Sequence, residues 1–205
     1  IMQACMTDND VVVVDRNCHK SIEQGLMLTG AKPVYMVPSR NRYGIIGPIY
    51  PQEMQPETLQ KKISESPLTK DKAGQKPSYC VVTNCTYDGV CYNAKEAQDL
   101  LEKTSDRLHF DEAWYGYARF NPIYADHYAM RGEPGDHNGP TVFATHSTHK
   151  LLNALSQASY IHVREGRGAI NFSRFNQAYM MHATTSPLYA ICASNDVAVS
   201  MMDGN

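Results

Sequence analysis

The chain has 205 residues and a nearly balanced charge, with 19 lysines and arginines against 21 aspartates and glutamates, so its formal net charge is −2 at pH 7. This balance, with basic residues scattered along the chain, argues against nucleic acid or an anionic membrane as a partner. The six cysteines form no Cys-x-x-Cys pair, and no apolar run approaches the roughly 18 residues that span a bilayer, so the composition predicts a cytoplasmic protein.

The first half of the chain alternates strand-like and helix-like segments. Residues 1–5 are expected to lead directly into a strand. Val11 to Val14 is a continuous β-branched run, typical of a central parallel strand that is buried on both faces. His19 to Leu28 predicts a helix that Gly30 closes. The alternation continues with a strand at 33–37, a loop at 38–51, a helix at 56–64, an exposed insertion at 66–77 and a strand at 78–83.

The second half continues the alternation and ends in two helices. Its predicted segments are a helix at 94–103, strands at 108–111, 141–145 and 160–163, and helices at 171–181 and 187–202. Ser186 is expected to cap the last helix, with Pro187 at its first position. Cys80 and Cys192 lie in apolar runs, and we expect both to be buried as small hydrophobic residues.

Strands that alternate with helices predict an α/β fold, in which a mostly parallel sheet has helices on both faces. No internal linker suggests a second complete domain. We therefore expect residues 1–205 to form the incomplete core of one large domain of a longer protein. Ligands gather at the carboxyl ends of the strands in such sheets, so the residues that follow each strand are the candidates for function.

Two short motifs follow predicted strands. Asp111-Glu112-Ala113-Trp114 comes after 107–110, and Ser147-Thr148-His149-Lys150 comes after 141–145. An acid and a lysine in these places are what a pyridoxal-phosphate (PLP) enzyme needs, because the lysine holds the cofactor as a Schiff base and the acid keeps the pyridine nitrogen protonated. The ordinary alternatives are a solvated surface lysine and a carboxylate that caps a helix or pairs with a cation.

Side chains near these motifs suit the same cofactor. Ser147 and His149 accompany Lys150, and a small hydroxyl and an imidazole suit an anionic phosphate. His19 follows the first predicted strand and is either a helix cap or core residue, or an aromatic partner that stacks on the PLP ring. Trp114 is the only tryptophan, and it either packs in the core or lines the substrate cavity.

The motifs together resemble a known family. Asn17-Cys18-His19-Lys20-Ser21, Asp111-Glu112-Ala113-Trp114 and Ser147-Thr148-His149-Lys150-Leu151-Leu152, in that order, are similar to those of the fold-type I PLP-dependent ornithine/lysine/arginine decarboxylases of bacteria. The likeness covers essentially the whole chain, including Thr83 to Gly89 and Ser156 to Ser159. It is greatest for the biodegradative, acid-inducible arginine branch. The resemblance implies the large PLP-binding domain of an aspartate aminotransferase-type fold.

The resemblance also implies how the cofactor ring is held. Lys150 would bind PLP covalently, and Asp111 would bind the pyridine nitrogen. His19 would stack on one face of the ring, and Ala113 would pack against the other. Trp114 would lie near the ring or the substrate.

The phosphate of the cofactor would have its own contacts in this family. Ser147 and His149 would bind it within one subunit. Thr184 and Ser186 would reach the phosphate bound to a partner subunit, because the resemblance implies a homodimer with a shared active site, within a larger homo-oligomer such as a decamer. The residues of this chain do not include the family's upstream phosphate loop, so we expect the 205-residue chain alone to be inactive.

The reaction implied by the resemblance is decarboxylation of L-arginine to agmatine and CO₂. It consumes a proton, which suits a role in acid resistance. His149 or Lys150 would supply the proton at the α-carbon, and the residues do not decide between them. Lysine and ornithine remain alternative substrates, since nothing derived from the residues alone separates the three amino acids.

Three other kinds of protein function fit parts of the sequence. Asp111-Glu112-Ala113 resembles the Walker B box of a DEAD-like ATPase, but the chain has no G-x-x-x-x-G-K-[ST] phosphate loop. A non-catalytic oligomerisation module would not need both Asp111 and Lys150. A metal site could draw on several acids and histidines whose spacings fit no standard ligand set: His109, Asp111, Asp126, His127, Asp136 and His137.

Overall fold

The computed structural model of the chain describes residues 1–204 and contains a six-stranded sheet. The strands are β1 (Val11–Asp15), β2 (Lys32–Met36), β3 (Tyr79–Thr83), β4 (Arg107–Asp111), β5 (Thr141–His146) and β6 (Tyr160–Arg164). They lie in the order β2-β1-β3-β4-β5-β6, and neighbouring strands are parallel except for β5 and β6. The mostly parallel sheet predicted from the sequence is confirmed, with one antiparallel strand at its edge.

Helices cover both faces of this sheet. They are α1 (Met2–Cys5), α2 (Lys20–Thr29), α3 (Pro56–Glu65), α4 (Ala94–Leu101), α5 (Thr148–Leu151), α6 (Phe172–His182) and α7 (Tyr189–Met202). Short 3-10 turns occur at Pro51–Met54, Lys70–Lys72, Gly116–Phe120 and Pro122–Tyr124. The helices predicted from the sequence are present, with boundaries that differ by a few residues.

The two ends of the chain differ from the sequence prediction. The first residues form the short helix α1 before β1, so the expectation that they lead directly into a strand is wrong. The last helix starts at Tyr189 with Leu188 as its N-cap residue, and no side chain caps it. The predicted cap at Ser186 and first position at Pro187 are therefore wrong, because the chain stays extended through Leu188 before it turns into the helix.

Strand β1 shows why a continuous β-branched run suits the centre of this sheet. All five of its residues are buried, and successive side chains of a strand point to opposite faces. Val12 and Val14 pack in a cluster that contains Ile22 of α2. Val13 packs on the opposite face in a cluster that contains Leu59 of α3. Burying such a side chain is worth roughly 1.5–3 kcal/mol.

Helix α2 is fixed at both ends by residues that the sequence suggested. His19 is the N-cap residue, and its side chain accepts a hydrogen bond from the backbone N–H of Ser21. Gly30 is the C-cap residue with φ of 71°, and its N–H donates to the carbonyl of Leu26. A glycine suits this left-handed position because it has no Cβ.

Burial outside the sheet agrees with the sequence only in part. The segment 66–77 is mostly exposed as predicted, but Thr69 is buried and its hydroxyl donates to the carbonyl of Ile63 at 2.8 Å. Cys80 is buried, whereas Cys192 is exposed, so the prediction for Cys192 is wrong. Cys192 lies on α7, a helix whose apolar face is largely uncovered in this chain.

Helices α6 and α7, which we call the outer helices, expose many apolar side chains. The buried residues of α6 and α7 are Ala178, Asn195 and Ala198. The exposed apolar side chains on and between these helices are Phe172, Tyr179, Met180, Met181, Leu188, Tyr189, Val197, Met201 and Met202. None of the helices within residues 1–204 is both long enough and apolar enough to cross a membrane.

Candidate cofactor site

A cavity of about 350 Å³ opens at the carboxyl ends of the parallel strands. The residues that follow β1, β3, β4 and β5 meet there, as expected for a parallel sheet. Six of the nine predicted site residues line it: His19, Asp111, Ala113, Trp114, Ser147 and Lys150. Its other lining residues include Thr83, Tyr87, His109, Thr145, His146 and Tyr160. We call this space the cofactor cavity.

Asp111 is the buried acid of the cofactor cavity. It ends β4 with 7% of its surface exposed. One carboxylate oxygen, Oδ1, accepts from the hydroxyl of Thr145 at 3.2 Å and from the backbone N–H of Ala113 at 3.3 Å. The pairing of Asp111 with Thr145 across β4 and β5 explains why their side chains meet. These two donors fix the direction in which the carboxylate faces.

His109 is linked to this acid through the hydroxyl of Thr145. Its Nε2 lies 3.1 Å from the Thr145 hydroxyl oxygen, so the imidazole, the hydroxyl and the Asp111 carboxylate form a chain. Burial lowers the pKa of His109 to about 4, although the nearby Asp111 carboxylate opposes this shift. The imidazole is therefore neutral at neutral pH, and no second positive charge competes for the Asp111 carboxylate from this side.

Lys150 reaches the cofactor cavity from the short helix α5. Its Nζ lies 5.1 Å from the centre of the Trp114 ring, a cation–π contact. Tyr87 packs edge-on against the same ring, with 5.9 Å between ring centres. Trp114 is 36% exposed and lines the cavity beside Lys150, so it is not packed in the core.

The backbone of α5 is tied to α7. Thr148 is buried, and its hydroxyl donates to the side-chain oxygen of Asn195 at 2.5 Å. Leu152 packs with Ala198 in a small apolar cluster. The position of Lys150 therefore depends on α7, a helix that lies about 40 residues later in the chain.

His19 is both a helix cap and a wall of the cofactor cavity. Its Nδ1 lies 2.9 Å from the hydroxyl of Ser21 and accepts from the Ser21 backbone N–H at 3.3 Å. The turn before it is held by Asp15, which accepts from the backbone N–H groups of Asn17 at 2.7 Å and Thr83 at 3.2 Å. The hydrogen bonds by which His19 caps α2 therefore also fix the orientation of its ring in the cavity wall.

Ala113 and Ser147 lie side by side at the ends of β4 and β5. The backbone N–H of Ser147 donates to the carbonyl of Ala113 at 3.3 Å. The backbone N–H of Lys150 then donates to the carbonyl of Ser147 at 2.9 Å. These two hydrogen bonds fix the backbone of the segment that bears Lys150 relative to the end of β4.

Three of the predicted site residues lie outside the cofactor cavity. His149 is exposed, and its Nδ1 lies 2.8 Å from the carbonyl oxygen of Ala158. Thr184 and Ser186 are exposed in the connection between the outer helices, where the backbone N–H of Ser186 donates to the Thr184 hydroxyl at 3.1 Å. Within one chain, these residues do not join the other six.

A second buried acid, Glu112, lies behind the cofactor cavity. It follows Asp111 and therefore points to the opposite side. Its carboxylate accepts from Asn84 at 2.9 Å, from the backbone N–H of Ala129 at 2.8 Å and from the Nε2 of His146 at 3.0 Å. Burial raises the pKa of the Glu112 carboxyl, and the His146 contact opposes this shift.

The sequence reasoning missed His109, Thr145, Glu112 and His146 as parts of the site. Thr145 could have been found, because parallel pairing of the two predicted strands places it beside Asp111. Glu112 lies within the first motif and His146 directly precedes the second, but only the structure shows that their side chains contact each other. As for metals, no group of three or more histidine, cysteine, aspartate or glutamate side chains in residues 1–204 is placed to hold an ion.

The whole chain matches a known family and its members. The family model described as "Orn/Lys/Arg decarboxylase, major domain" matches residues 1–205. The lysine decarboxylase LdcA of Pseudomonas aeruginosa is 52% identical over 196 residues, which cover 95% of this chain and 26% of that protein. The inducible lysine decarboxylase of Escherichia coli K12 is 45% identical over the same shares of both chains. The chain thus spans about a quarter of the length of these curated relatives.

Solved structures show the same relation. The lysine decarboxylase A structure from Pseudomonas aeruginosa has a TM-score of 0.88 and 50% identity, covering 99% of this chain and 27% of that one. Cystalysin from Treponema denticola, whose structure contains pyridoxal 5'-phosphate, has a TM-score of 0.59 at 13% identity and covers 99% of this chain and 48% of that one. At that identity the likeness to cystalysin concerns the fold alone.

Proposed function

The chain belongs to the Orn/Lys/Arg decarboxylase family, and from this premise we propose that the full-length protein is a PLP-dependent decarboxylase of a basic amino acid. One observation carries the proposal: Lys150 and the buried Asp111 line one cavity, although 39 positions separate them in the sequence. This arrangement does not support the ATPase alternative, which would need a phosphate loop for a nucleotide. It also argues against a purely structural module, which would not need a hydrogen-bonded buried carboxylate and a lysine in one cavity.

The residues of the cofactor cavity fit PLP. The volume of about 350 Å³ lies within the range of small-molecule sites. A buried carboxylate suits a pyridinium nitrogen, and a lysine amine suits an aldehyde. When bound, PLP supplies an electron sink for the bond that breaks at the α-carbon. We infer that Lys150 attaches to PLP and that Asp111 binds its ring nitrogen.

The surrounding side chains orient these two groups. Thr145 and Ala113 aim the Asp111 carboxylate, so the negative charge is in place before any ligand binds. Trp114 holds the ammonium group of Lys150 at the cavity wall. His19 offers a flat ring, fixed by Ser21, that can stack on the cofactor.

The phosphate contacts remain predictions. Ser147 lines the cofactor cavity and would bind the phosphate within one subunit. His149 would have to turn from the carbonyl of Ala158 to do the same. Thr184 and Ser186 are exposed, which suits the proposal that they act on the site of a partner subunit in a homodimer. The exposed apolar side chains of the outer helices support a larger homo-oligomer.

The preferred substrate is proposed to be L-arginine, with agmatine and CO₂ as products and one proton consumed. The similarity of the three motifs to the arginine branch supports arginine. Lysine is the second candidate, because the relatives named above are lysine decarboxylases. Consumption of a proton in each turnover would suit a role in acid resistance.

Covalent labelling tests the cofactor assignment. The full-length protein should show the yellow absorbance of a lysine-bound cofactor, and borohydride reduction should leave the pyridoxyl group on Lys150. Lys150→Ala should remove both signals. Lys95→Ala is the matched control, because Lys95 is exposed and pairs with Asp99 at 2.6 Å. A pyridoxyl group on any other lysine contradicts the proposal.

Substrate competition tests the amino acid. CO₂ release from arginine, lysine and ornithine should be measured in the same full-length protein at acidic pH. We expect the highest kcat/KM for arginine. A clear preference for lysine would show that the arginine proposal is wrong while leaving the decarboxylase proposal intact.

A further inference from the structure

A second cavity adjoins the cofactor cavity and shares two wall residues with it. It has a volume of about 320 Å³ and lies beside β6 and the 3-10 turn at Gly116–Phe120. His146 and Tyr160 line both cavities. Arg119 is exposed and also lines the second cavity, so that cavity reaches the surface. A route that enters through the second cavity therefore reaches the proposed cofactor site past His146 or Tyr160.

His146 is built to hold a proton at a fixed place. Its Nε2 lies 3.0 Å from a carboxylate oxygen of Glu112, whose surface is 0% exposed. Two further N–H groups, from Asn84 and Ala129, fix the other carboxylate oxygen. The geometry assigns the Nε2 proton to the bond with Glu112, so Nδ1 is the atom that can exchange a proton with the cavities.

A second imidazole, that of His162, lies beside His146. Burial, and then the adjacent His146, lower the pKa of His162 to about 4, with 4.8 Å between the two ring centres. The His162 imidazole is therefore neutral at neutral pH. The titratable and charged side chains that surround His146, besides Asp111 and its network, are Glu112, Tyr160, His162, Arg119, Tyr128 and Lys150.

We propose that the Glu112–His146 pair is a proton relay that carries the proton consumed in each turnover from the second cavity to the cofactor cavity. This inference rests on the proposed decarboxylase function. In that reaction the bond between the α-carbon and the carboxylate breaks, CO₂ leaves, and the electron pair stays on the α-carbon. A C–H bond then forms with the proton that leaves Nδ1 of His146, which regains one from water in the second cavity.

The position of His149 supports this assignment. Lys150 and its two neighbouring histidines offer three proton sources in five residues of sequence. His149 is exposed and bonded to the carbonyl of Ala158, whereas His146 lines the cofactor cavity and has a buried carboxylate behind it. Of the two histidines next to Lys150 in the sequence, His146 is therefore the one whose imidazole reaches the cofactor cavity.

The test uses the full-length, PLP-loaded protein with arginine, lysine and ornithine as substrates. His146→Gln should keep the cofactor absorbance and the label on Lys150, but kcat should fall by roughly 100-fold, the lower end of the range for a general acid. A product readout supplements the rate. If the proton adds to the cofactor and not to the α-carbon, one water cleaves the C=N bond, so the amino group stays on the cofactor and the carbon skeleton leaves as an aldehyde after CO₂; this fraction should rise.

Three further variants locate the effect. Glu112→Gln keeps the size of the side chain but removes the carboxylate that accepts from Nε2 of His146, so kcat should fall and the aldehyde fraction should rise, as in His146→Gln. Tyr160→Phe removes the other polar group that the two cavities share, and its loss of kcat should be smaller than that of His146→Gln. His137→Gln removes an imidazole that bonds the carbonyl of Glu165 on a distant loop and should have no effect.

The outcomes separate the relay from the proposed function. If the unsubstituted protein shows no lysine-bound cofactor, the decarboxylase proposal itself is wrong, and the relay with it. If absorbance is normal and His146→Gln leaves kcat and the aldehyde fraction unchanged, only the relay is overturned. A loss confined to Tyr160→Phe or to His149→Gln would also overturn it. Should His146→Gln fail to fold, an unchanged kcat and aldehyde fraction in Glu112→Gln overturn the relay.

Discussion

The carboxyl edge of the sheet and the outer helices differ in how well this chain alone satisfies their side chains. At the sheet edge, Asp111 and Glu112 are buried carboxylates that each accept at least two hydrogen bonds. On α7, Tyr189 is 81% exposed and Val197 is 58% exposed, although both are apolar. The two carboxylates of the first region are hydrogen-bonded within this chain, and the second region presents apolar surface that another protein surface could cover.

The difference shows which parts of a site must be rigid before a partner arrives. Electrostatic groups act best when they are fixed in advance, because no reorganisation is then needed at the moment of reaction. The Asp111 network meets this condition within β4 and β5. The hydrogen bond between Thr148 and Asn195 links the two regions, so a surface that covers α7 can influence Lys150.

The largest expected effect concerns the acid at the sheet edge. Asp111→Asn should lower kcat of the full-length protein by roughly 10²–10³-fold, because a neutral amide cannot balance a pyridinium charge. Thr145→Val, which removes one hydrogen bond to that carboxylate, should lower kcat by about tenfold. Steady-state decarboxylation at saturating PLP measures both. Equal effects of the two substitutions would contradict the idea that the hydroxyl only orients the acid.

The next largest expected difference between the sheet and the outer helices is in the free energy of unfolding. Phe143 is 0% exposed, so Phe143→Ala should lower the free energy of unfolding of the 205-residue chain by about 3–5 kcal/mol. Tyr189→Ala should change it by less than about 0.5 kcal/mol. Urea unfolding followed by circular dichroism measures both. A large cost for Tyr189→Ala would mean that α7 is covered in solution.

The link between the regions should give a smaller loss. Thr148→Val leaves the buried side-chain oxygen of Asn195 without its donor, which should cost about 1–3 kcal/mol. Ser200→Ala, on the exposed side of α7, the helix that carries Asn195, is the control and should cost less than about 0.5 kcal/mol. Urea unfolding followed by circular dichroism measures both costs. Identical midpoints for the two variants would contradict the idea that the Thr148–Asn195 hydrogen bond stabilises the contact between α5 and α7.

The smallest effect is a pH dependence of stability. The pKa of His162 is about 4 in the folded chain, below its usual value, so the unfolded chain binds more protons between these two values. Stability should therefore be full above about pH 6.5 and fall as the pH drops towards 4. His162→Gln should remove about 1–2 kcal/mol of the loss between pH 7 and 5. Urea midpoints at both pH values test this, with His137→Gln as the control.

The sequence by itself determined the alternation of elements, and it predicted the two residues, Asp111 and Lys150, that the structure brings to one cavity. β-Branched runs such as Val11–Asp15 form buried strands because their stiff side chains suit a pleated, enclosed surface. Asp111 and Lys150 were predicted because the motifs that contain them follow two predicted strands, and ligands gather at the carboxyl ends of the strands in such a sheet. His19 and Gly30 were found because helix ends need specific donors and backbone angles.

Only the tertiary structure decided which of the candidate residues meet. Strand order places β4 beside β5 and so brings Thr145 to Asp111 and His146 to Glu112, and no local pattern encodes that contact. The structure likewise turned His149 away from the cofactor cavity and left Cys192 exposed on α7. Local sequence sets the shape of each segment through short-range sterics and hydrogen bonds, whereas a site depends on packing between segments that lie far apart in the chain.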